Sequence, residues 1–255
     1  MALNLRTVTL LGLTAISTAL LPMKSFALDD AQKKEFGAFI REYLIENPEI
    51  MLEVQTALEK KQAEKRNNLA AQAVPQNKEV IFNASYDVAL GNPDGDVTLV
   101  EFFDYNCGYC KRAKADIDQL LKTDKNLRVI VKEFPILGPD STAAHQVSNA
   151  VRHIAPDKYG EFQRSLLGAN QRATEASAIA LAKTLGISED DLRKSMKDKP
   201  QEASVNETYE VAVQLGIQGT PSYVIGNEAV FGAVGFDELK QKIDNMRACG
   251  EATCN

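Results

Sequence analysis

The sequence of 255 residues has little basic charge, few histidines and few cysteines, and each shortage excludes a class of protein. Its 29 basic residues are outnumbered by 35 acidic ones, so nucleic acid is not expected as a partner. It has 2 histidines and a single Cys-x-x-Cys, with no further ligand pair nearby at the spacing of a zinc site. We therefore expect no bound metal and no cofactor.

The first 27 residues predict a cleaved signal peptide and export to the periplasm. Arg6 precedes an apolar run of about 14 residues, shorter than the ~20 of a membrane span, and small residues occupy the two positions read by signal peptidase, Ser25 and Ala27. An uncleaved anchor is the alternative. No cysteine precedes Cys107, so no lipid is expected at the cleavage site. Because Arg6 and Lys24 are the segment's only charged residues, the mature chain would carry a net charge of about −8.

Residues 28–79 predict a helical stalk and linker ahead of a main domain at 80–255. Two helices carry apolar residues at helical spacing, and helices this short cannot bury such stripes on themselves. The stripes therefore lie on the main domain or pair with other copies of the chain. We favour self-association, because a charged tether separates them from the main domain. The stripe residues are Phe36, Ile40, Tyr43, Leu44, Met51, Val54 and Leu58.

The chemistry of the chain is predicted at residues 97–112. The first eight of these are rich in Val, Phe and Leu and read as a buried strand, and a Cys-Gly-Tyr-Cys motif follows where a helix should begin. Free N–H groups and the positive end of the helix dipole would stabilise a thiolate at Cys107. Cys110, one turn later, would then resolve a mixed disulfide. Half of a structural zinc site is the less favoured alternative.

Two charged residues interrupt strands that should be buried. Residues 127–134 predict a second strand, in which alternation puts Lys132 on the same face as Phe134. Glu101 lies in the first strand, and we expect it to form a buried pair with Lys132 beneath the cysteines. Such a pair could carry protons to or from Cys110. The alternative is that both side chains face solvent at a strand edge.

The rest of the chain predicts a helical block, a β-hairpin and a final helix. Helices fill about 141–216, and the hairpin and last helix follow at 222–231 and 236–248. Thr220 and Pro221 stand immediately before the hairpin. Cis prolines cluster in tight functional turns, whereas an ordinary trans proline would simply start the strand.

This order of elements resembles the thioredoxin fold, an α/β fold with a central mixed sheet, carrying a helical insertion. The segment Glu-Phe-Phe-Asp-Tyr-Asn-Cys-Gly-Tyr-Cys and the later Gly-Thr-Pro resemble the DsbA-type thiol–disulfide oxidoreductases. By resemblance, Cys107 attacks, Cys110 resolves, and Thr220-Pro221 forms the cis-proline turn that pairs with substrate. The resemblance also places substrate contacts at Gly108, Tyr109, Gly219 and Thr220, and puts Glu101 and Lys132 at the family's buried acid and lysine.

Two departures bear on the direction of the reaction. The dipeptide between the cysteines is Gly-Tyr, whereas strongly oxidising members have Pro-His, so a less oxidising potential is expected. Residues 29–74 resemble the N-terminal segment of suppressor-of-copper-sensitivity-type isomerases, which form dimers or trimers and shuffle wrong disulfides. We therefore favour an isomerase or reductase over an oxidase, acting on unfolded or misoxidised exported proteins with a membrane redox partner. Cu(I) capture by soft thiolates is an alternative of another class.

A second cysteine pair, Cys249 and Cys254, lies near the C-terminus. Export favours a structural disulfide that closes a short loop. The alternative is an accessory pair that exchanges electrons with the main site.

Overall fold

The computed structural model describes residues 28–198 and 202–254, so the predicted signal peptide lies outside the described residues. Two helices begin this part of the chain: α1 (Asp30–Glu46) and α2 (Glu49–Gln76). The chain divides into one compact unit that ends at Thr56 and another that begins at Ala57. The division is earlier than the boundary at residue 79 predicted from composition, because Ala70 and Val74 near the end of α2 are buried in the core of the second unit.

The first unit contains every residue of the predicted apolar stripe except Leu58, and all of them are exposed apart from the half-buried Leu44. The Asp29 side chain accepts from the Gln32 backbone N–H and the Gln32 side chain accepts from that of Asp29, a capping box that begins α1. No residue of α1 is buried, and Phe39 and Ile45 are 61% and 65% exposed. The apolar side chains of this helix are therefore available to a partner.

A five-stranded mixed sheet organises the second unit. Its strand order is β1-β3-β2-β4-β5, with β2 and β3 parallel and the other pairs antiparallel. The elements that complete this unit, in chain order, are α3 (Lys78–Phe82), β1 (Ala89–Gly91), β2 (Val97–Phe103), α4 (Gly108–Thr123), β3 (Leu127–Glu133), α5 (Pro139–Ile154), α6 (Pro156–Gly168), α7 (Glu175–Thr184), α8 (Glu189–Asp198), α9 (Glu202–Gln214), β4 (Ser222–Ile225), β5 (Glu228–Phe231) and α10 (Phe236–Cys249).

The central strands are covered on both faces, which explains their nearly continuous apolar sequence. Leu99 and Phe103 of β2 face one core, which also contains residues of α4, α5 and α6. Val100 and Phe102 face a second core, to which α2 contributes Ala70, Ala73 and Val74. The strands thus hold the start of α4 at the carboxyl end of β2.

Helices α5 to α9 form the predicted helical block, beginning at Pro139 and ending at Gln214. The hairpin of β4 and β5 and the final helix follow at the predicted positions. Within residues 28–198 and 202–254, no helix is both long enough and apolar enough to cross a membrane.

Candidate active site

Cys107 lies at the N-terminus of α4, as the sequence predicts. It is the N-cap residue of this helix, in an extended conformation, and the Cys110 backbone N–H points at its Sγ over 3.4 Å. Both thiols are free. Cys110 is completely buried, whereas Cys107 retains 6% of its surface. The first sulfur is therefore accessible to a substrate and the second only to the first.

The Thr220–Pro221 peptide bond is cis, as predicted, and it lies beside the cysteines. The Cys107 Sγ lies 3.1 Å from the carbonyl oxygen of Thr220, to which the protonated form of the thiol donates. Pro221 leads directly into β4, which pairs antiparallel with β2. Because β2 also leads to Cys107, the pairing of these strands brings the two segments together.

The environment of the two sulfurs separates their acidities. The pKa of Cys107 is lowered from 9.0 to about 5, chiefly by a hydrogen bond from the Cys110 thiol. The Thr220 side chain and backbone N–H groups at the helix start also lower this pKa, whereas burial raises it. The pKa of Cys110 is raised by its bond to Cys107, by burial and by the charge of Glu101. At neutral pH, Cys107 is the thiolate and Cys110 the protonated thiol.

Asp104 fixes the segment that leads into the motif, and the sequence analysis assigned it no role. Its buried carboxylate accepts hydrogen bonds from the backbone N–H groups of Ile136 and Leu137 at 2.9 and 3.0 Å. The same carboxylate accepts from the Asn106 N–H at 2.8 Å and the Ser141 hydroxyl at 2.8 Å. An acidic residue directly after an apolar strand was the available signal, since buried carboxylates need several donors.

The motif is also tied to the helical insertion. The Asn106 side chain donates to the carbonyl of Ala173 at 2.9 Å and accepts from its N–H at 2.8 Å. The Lys111 ammonium donates to the carbonyl oxygens of Ala169 and Gln171. The loop between α6 and α7 is therefore held next to the cysteines by residues that flank them.

Glu101 is buried beneath the cysteines, as predicted. Its side chain is fully buried, and neither carboxylate oxygen has a hydrogen-bond partner among the residues that the structure describes. Burial raises the pKa of Glu101 to about 7, while the charge of Arg164 acts in the opposite direction. The carboxyl group can therefore exchange a proton near neutral pH.

The predicted pair between Glu101 and Lys132 is wrong. In the parallel register Glu101 is opposite Val131, and Lys132 is opposite Phe102, so the two charged side chains lie on opposite faces of the sheet. Lys132 instead forms a buried ion pair with Asp87 and donates to the carbonyl of Val80. It anchors the segment between α3 and β1 and lies away from the cysteines.

The predicted substrate-contact residues surround Cys107. Tyr109 is 60% exposed, and the Arg112 guanidinium lies 4.1 Å from the centre of its ring. Gly108 is exposed and begins α4, and Gly219 is half-buried at the turn before Pro221. Addition of a Cβ atom at either glycine would meet nothing within 4 Å. Both glycines therefore border open space.

Cys249 and Cys254 form a disulfide across a sequence separation of 5. Within this loop, Ala252 is buried, and its carbonyl accepts from the Asn245 side chain at 3.0 Å. The Thr253 hydroxyl donates to Glu228 at 2.9 Å. These contacts hold the loop against the β4–β5 hairpin and α10, which favours the structural interpretation.

Comparison with known families agrees with this geometry. Residues 98–244 match the DSBA-like thioredoxin domain, and residues 32–65 match the copper resistance protein ScsC N-terminal domain. The first match includes strands β2 to β5, the Cys-Gly-Tyr-Cys motif, the helical insertion and the cis-proline turn. The second falls on α1 and the first part of α2.

Solved structures of individual proteins are also similar to this chain. A thioredoxin-like oxidoreductase from Silicibacter pomeroyi is 36% identical, with a TM-score of 0.64 over 68% of this chain and 99% of that one. Proteus mirabilis ScsC, in a transitional conformation, is 30% identical, with a TM-score of 0.61 over 87% of this chain and 98% of that one.

Two further relatives are matched over only part of their own length. Disulfide bond formation protein D from Bacillus subtilis is 26% identical over 166 residues, 61% of this chain and 74% of that protein. The Na(+)/H(+) antiporter NhaA 1 of Salinispora arenicola is 23% identical over 164 residues, so this chain spans only about a quarter, 25%, of that protein.

Proposed function

Because this chain belongs to the DSBA-like thioredoxin domain family of thiol–disulfide oxidoreductases, we propose that it catalyses disulfide exchange in exported proteins in the periplasm. The observation that carries the proposal is the Cys107 sulfur at the start of α4, 3.1 Å from the carbonyl oxygen of Thr220. A substrate strand that pairs with the backbone at this turn brings its own disulfide to the sulfur.

The first step is attack by the Cys107 thiolate on one sulfur of a substrate disulfide. An S–S bond forms between Cys107 and substrate, the substrate S–S bond breaks, and the other substrate sulfur leaves as a thiolate. That thiolate can then attack elsewhere in the substrate, which isomerises the disulfides and finally releases Cys107. The net number of disulfides does not change on this route.

The second route uses Cys110. Its thiol passes a proton to the Glu101 carboxylate, and its sulfur attacks Cys107, which forms the Cys107–Cys110 disulfide and releases the substrate thiolate. The substrate is reduced by two electrons and the enzyme is oxidised by two. In the reverse direction the same steps introduce a disulfide, which is the oxidase alternative.

The pKa of Cys107 supports a site of intermediate oxidising strength. Redox Cys-x-x-Cys thiols range from a pKa of roughly 7 in a reductant to about 3.5 in a strong oxidant, because a stable thiolate favours the reduced form. The pKa of Cys107, about 5, lies between these limits. We favour isomerisation and reduction, since the cysteines are separated by Gly-Tyr, which adds no charged donor to the thiolate.

The stalk supplies the second argument for isomerisation. Among the residues that the structure describes, the stripe of Phe36, Ile40 and Tyr43 on α1 is an exposed apolar face. We infer that copies of this chain pair through residues 29–74 as a homodimer or homotrimer. Several sulfurs around one captured substrate raise the effective concentration of thiol, which an isomerase uses and an oxidase does not need.

Two measurements test the proposal. The wild type should restore activity to scrambled ribonuclease, and Cys107→Ser should not. Alkylation in intact cells should trap Cys107 and Cys110 mostly reduced, since a membrane redox partner must keep an isomerase reduced, whereas mostly oxidised cysteines would establish the oxidase. No turnover by the wild type, together with Cu(I) binding that Cys107→Ser abolishes, would replace the proposal with copper capture.

A further inference from the structure

Glu101 has a buried polar neighbour that takes no part in the exchange reaction as proposed. Tyr223 of β4 is directly opposite Glu101 of β2 in the antiparallel register. Opposed side chains of such a pair lie on the same face, with Cβ atoms about 4.5–5.5 Å apart. Tyr223 is fully buried, as Glu101 is. The two side chains therefore share the space between the sheet and α4.

Three oxygen atoms of this pair have no hydrogen-bond partner within residues 28–198 and 202–254. They are the two carboxylate oxygens of Glu101 and the hydroxyl of Tyr223. A buried polar atom without a partner is strongly disfavoured, and a phenylalanine would fill the same volume without one. The Tyr223 hydroxyl can donate a hydrogen bond and the Glu101 carboxylate can accept one, so the two groups are complementary.

The charged groups around Glu101 explain why a donor is needed. Arg164 on α6 favours its ionised form, whereas burial, Asp118 on α4 and the Cys107 thiolate oppose it. The Tyr223 hydroxyl lies in the field of Glu101, both cysteines and Asp116, and burial and these negative charges keep it protonated by raising its pKa. A phenol that stays protonated is a permanent hydrogen-bond donor.

We propose that Tyr223 is a positioning residue for the resolving step, whose hydroxyl donates to the Glu101 carboxylate through one bridging water and holds it as the proton acceptor for Cys110. The inference rests on the proposed function and deepens it.

The step balances in protons and electrons. The proton leaves the Cys110 sulfur for Glu101, the Cys110 sulfur attacks Cys107, and the substrate sulfur departs with the electron pair of the broken bond. Tyr223 keeps its proton throughout. A donated hydrogen bond stabilises the ionised carboxylate, so its loss should raise the pKa of Glu101.

The experiment follows both cysteines of the reduced, full-length protein in one reaction with dithionitrobenzoate. The first thionitrobenzoate released reports attack by Cys107, and the second reports attack by Cys110 on the mixed disulfide. In the wild type the rate of the second phase should rise with pH, with a midpoint near the Glu101 pKa of about 7. Tyr223→Phe should move this midpoint up by about one pH unit and leave the first phase unchanged.

Tyr159→Phe is the matched control. Its hydroxyl is also buried and donates to Glu133 at 3.3 Å, so the same atom is removed elsewhere in the core. It should leave the midpoint of the second phase in place. In a Glu101→Gln background, Tyr223→Phe should cause no further change.

The outcomes separate this inference from the proposed function. A wild type whose first phase is absent would reject the proposed function itself. A normal first phase combined with an unshifted midpoint in Tyr223→Phe, or with an equal shift in Tyr159→Phe, would reject the role of Tyr223 alone. A shift that persists in the Glu101→Gln background would show that Tyr223 acts by another route and would also overturn it.

Discussion

Cys107 and Thr220 are separated by 113 positions in the chain, and the Sγ of the first lies 3.1 Å from the carbonyl oxygen of the second. The contact joins the start of α4 to the turn before β4. It depends on the antiparallel pairing of β2 with β4, which begins at Phe102 and Ser222. Under the proposed function, a substrate chain bound at the turn would lie next to the Cys107 sulfur.

The titration of Cys107 should show how strongly Cys110 stabilises its thiolate. In the reduced wild type, thiolate absorbance should have a midpoint at about 5. Cys110→Ala removes the hydrogen bond that lowers this pKa most, so the midpoint should rise by about one unit or more. Cys110→Ser keeps a donor and should shift the midpoint less. Equal midpoints in all three proteins would contradict this account.

Glu101 should destabilise the folded protein at neutral and alkaline pH. Its pKa is raised from 4.5 to about 7, so the cost of its buried charge is absent below about 4.5, grows as the pH rises, and is complete above about 7. The stability of Glu101→Gln relative to wild type should therefore increase by about 3 kcal/mol across this range. Denaturant unfolding of the reduced proteins at several pH values measures it. A difference that does not vary with pH would show that Glu101 is not buried as a titrating acid.

Lys132 should matter for stability and not for exchange chemistry. Lys132→Met leaves the buried Asp87 carboxylate unpaired, and such changes cost about 3–5 kcal/mol. Lys132→Met combined with Asp87→Leu should recover much of this loss. The pH midpoint of the resolving step should stay at the wild-type value in every variant that folds. A changed midpoint would restore the proton-transfer role that the sequence suggested.

The C-terminal disulfide should contribute modestly to stability. Substitution of both Cys249 and Cys254 by serine opens a loop with a sequence separation of 5, and closure of so short a loop is worth about 2 kcal/mol. Unfolding of the oxidised proteins measures the loss. Single-turnover attack by Cys107 should be unaffected, and a slower attack would instead favour an accessory redox pair.

Charge in the stripe on α1 should prevent self-association. Ile40→Glu places a carboxylate in the exposed apolar face, where a partner helix would have to bury it. Sedimentation of the full chain should then show monomers. Ala38→Glu is the matched control, because two residues away on a helix is the opposite face, and it should leave the oligomer intact. Identical sedimentation of the two variants would exclude the stripe as the interface.

Local patterns were sufficient to predict most of the site. The Cys-Gly-Tyr-Cys motif after an apolar strand predicted Cys107 at a helix N-terminus, whereas the cis turn at Thr220-Pro221 was predicted by the resemblance to the DsbA-type family. These features depend on residues adjacent in the chain, whose backbone geometry and hydrogen bonds are set by short-range sterics. The stalk helices were predicted for the same reason, although the end of α2 proved to belong to the core.

The sequence by itself determined which residues make up the candidate site: a cysteine at a helix start, a second cysteine one turn later, an acid in a buried strand and a Thr-Pro before the hairpin. The tertiary structure decided which of these residues lie next to one another. Lys132 points away from Glu101 because strand pairing set their register one residue apart, and one residue reverses the face of a side chain. Tyr223 lies against Glu101 because β4 pairs with β2 across more than a hundred residues of intervening chain. Pairing at that distance depends on the packing of the whole sheet, which no local pattern encodes.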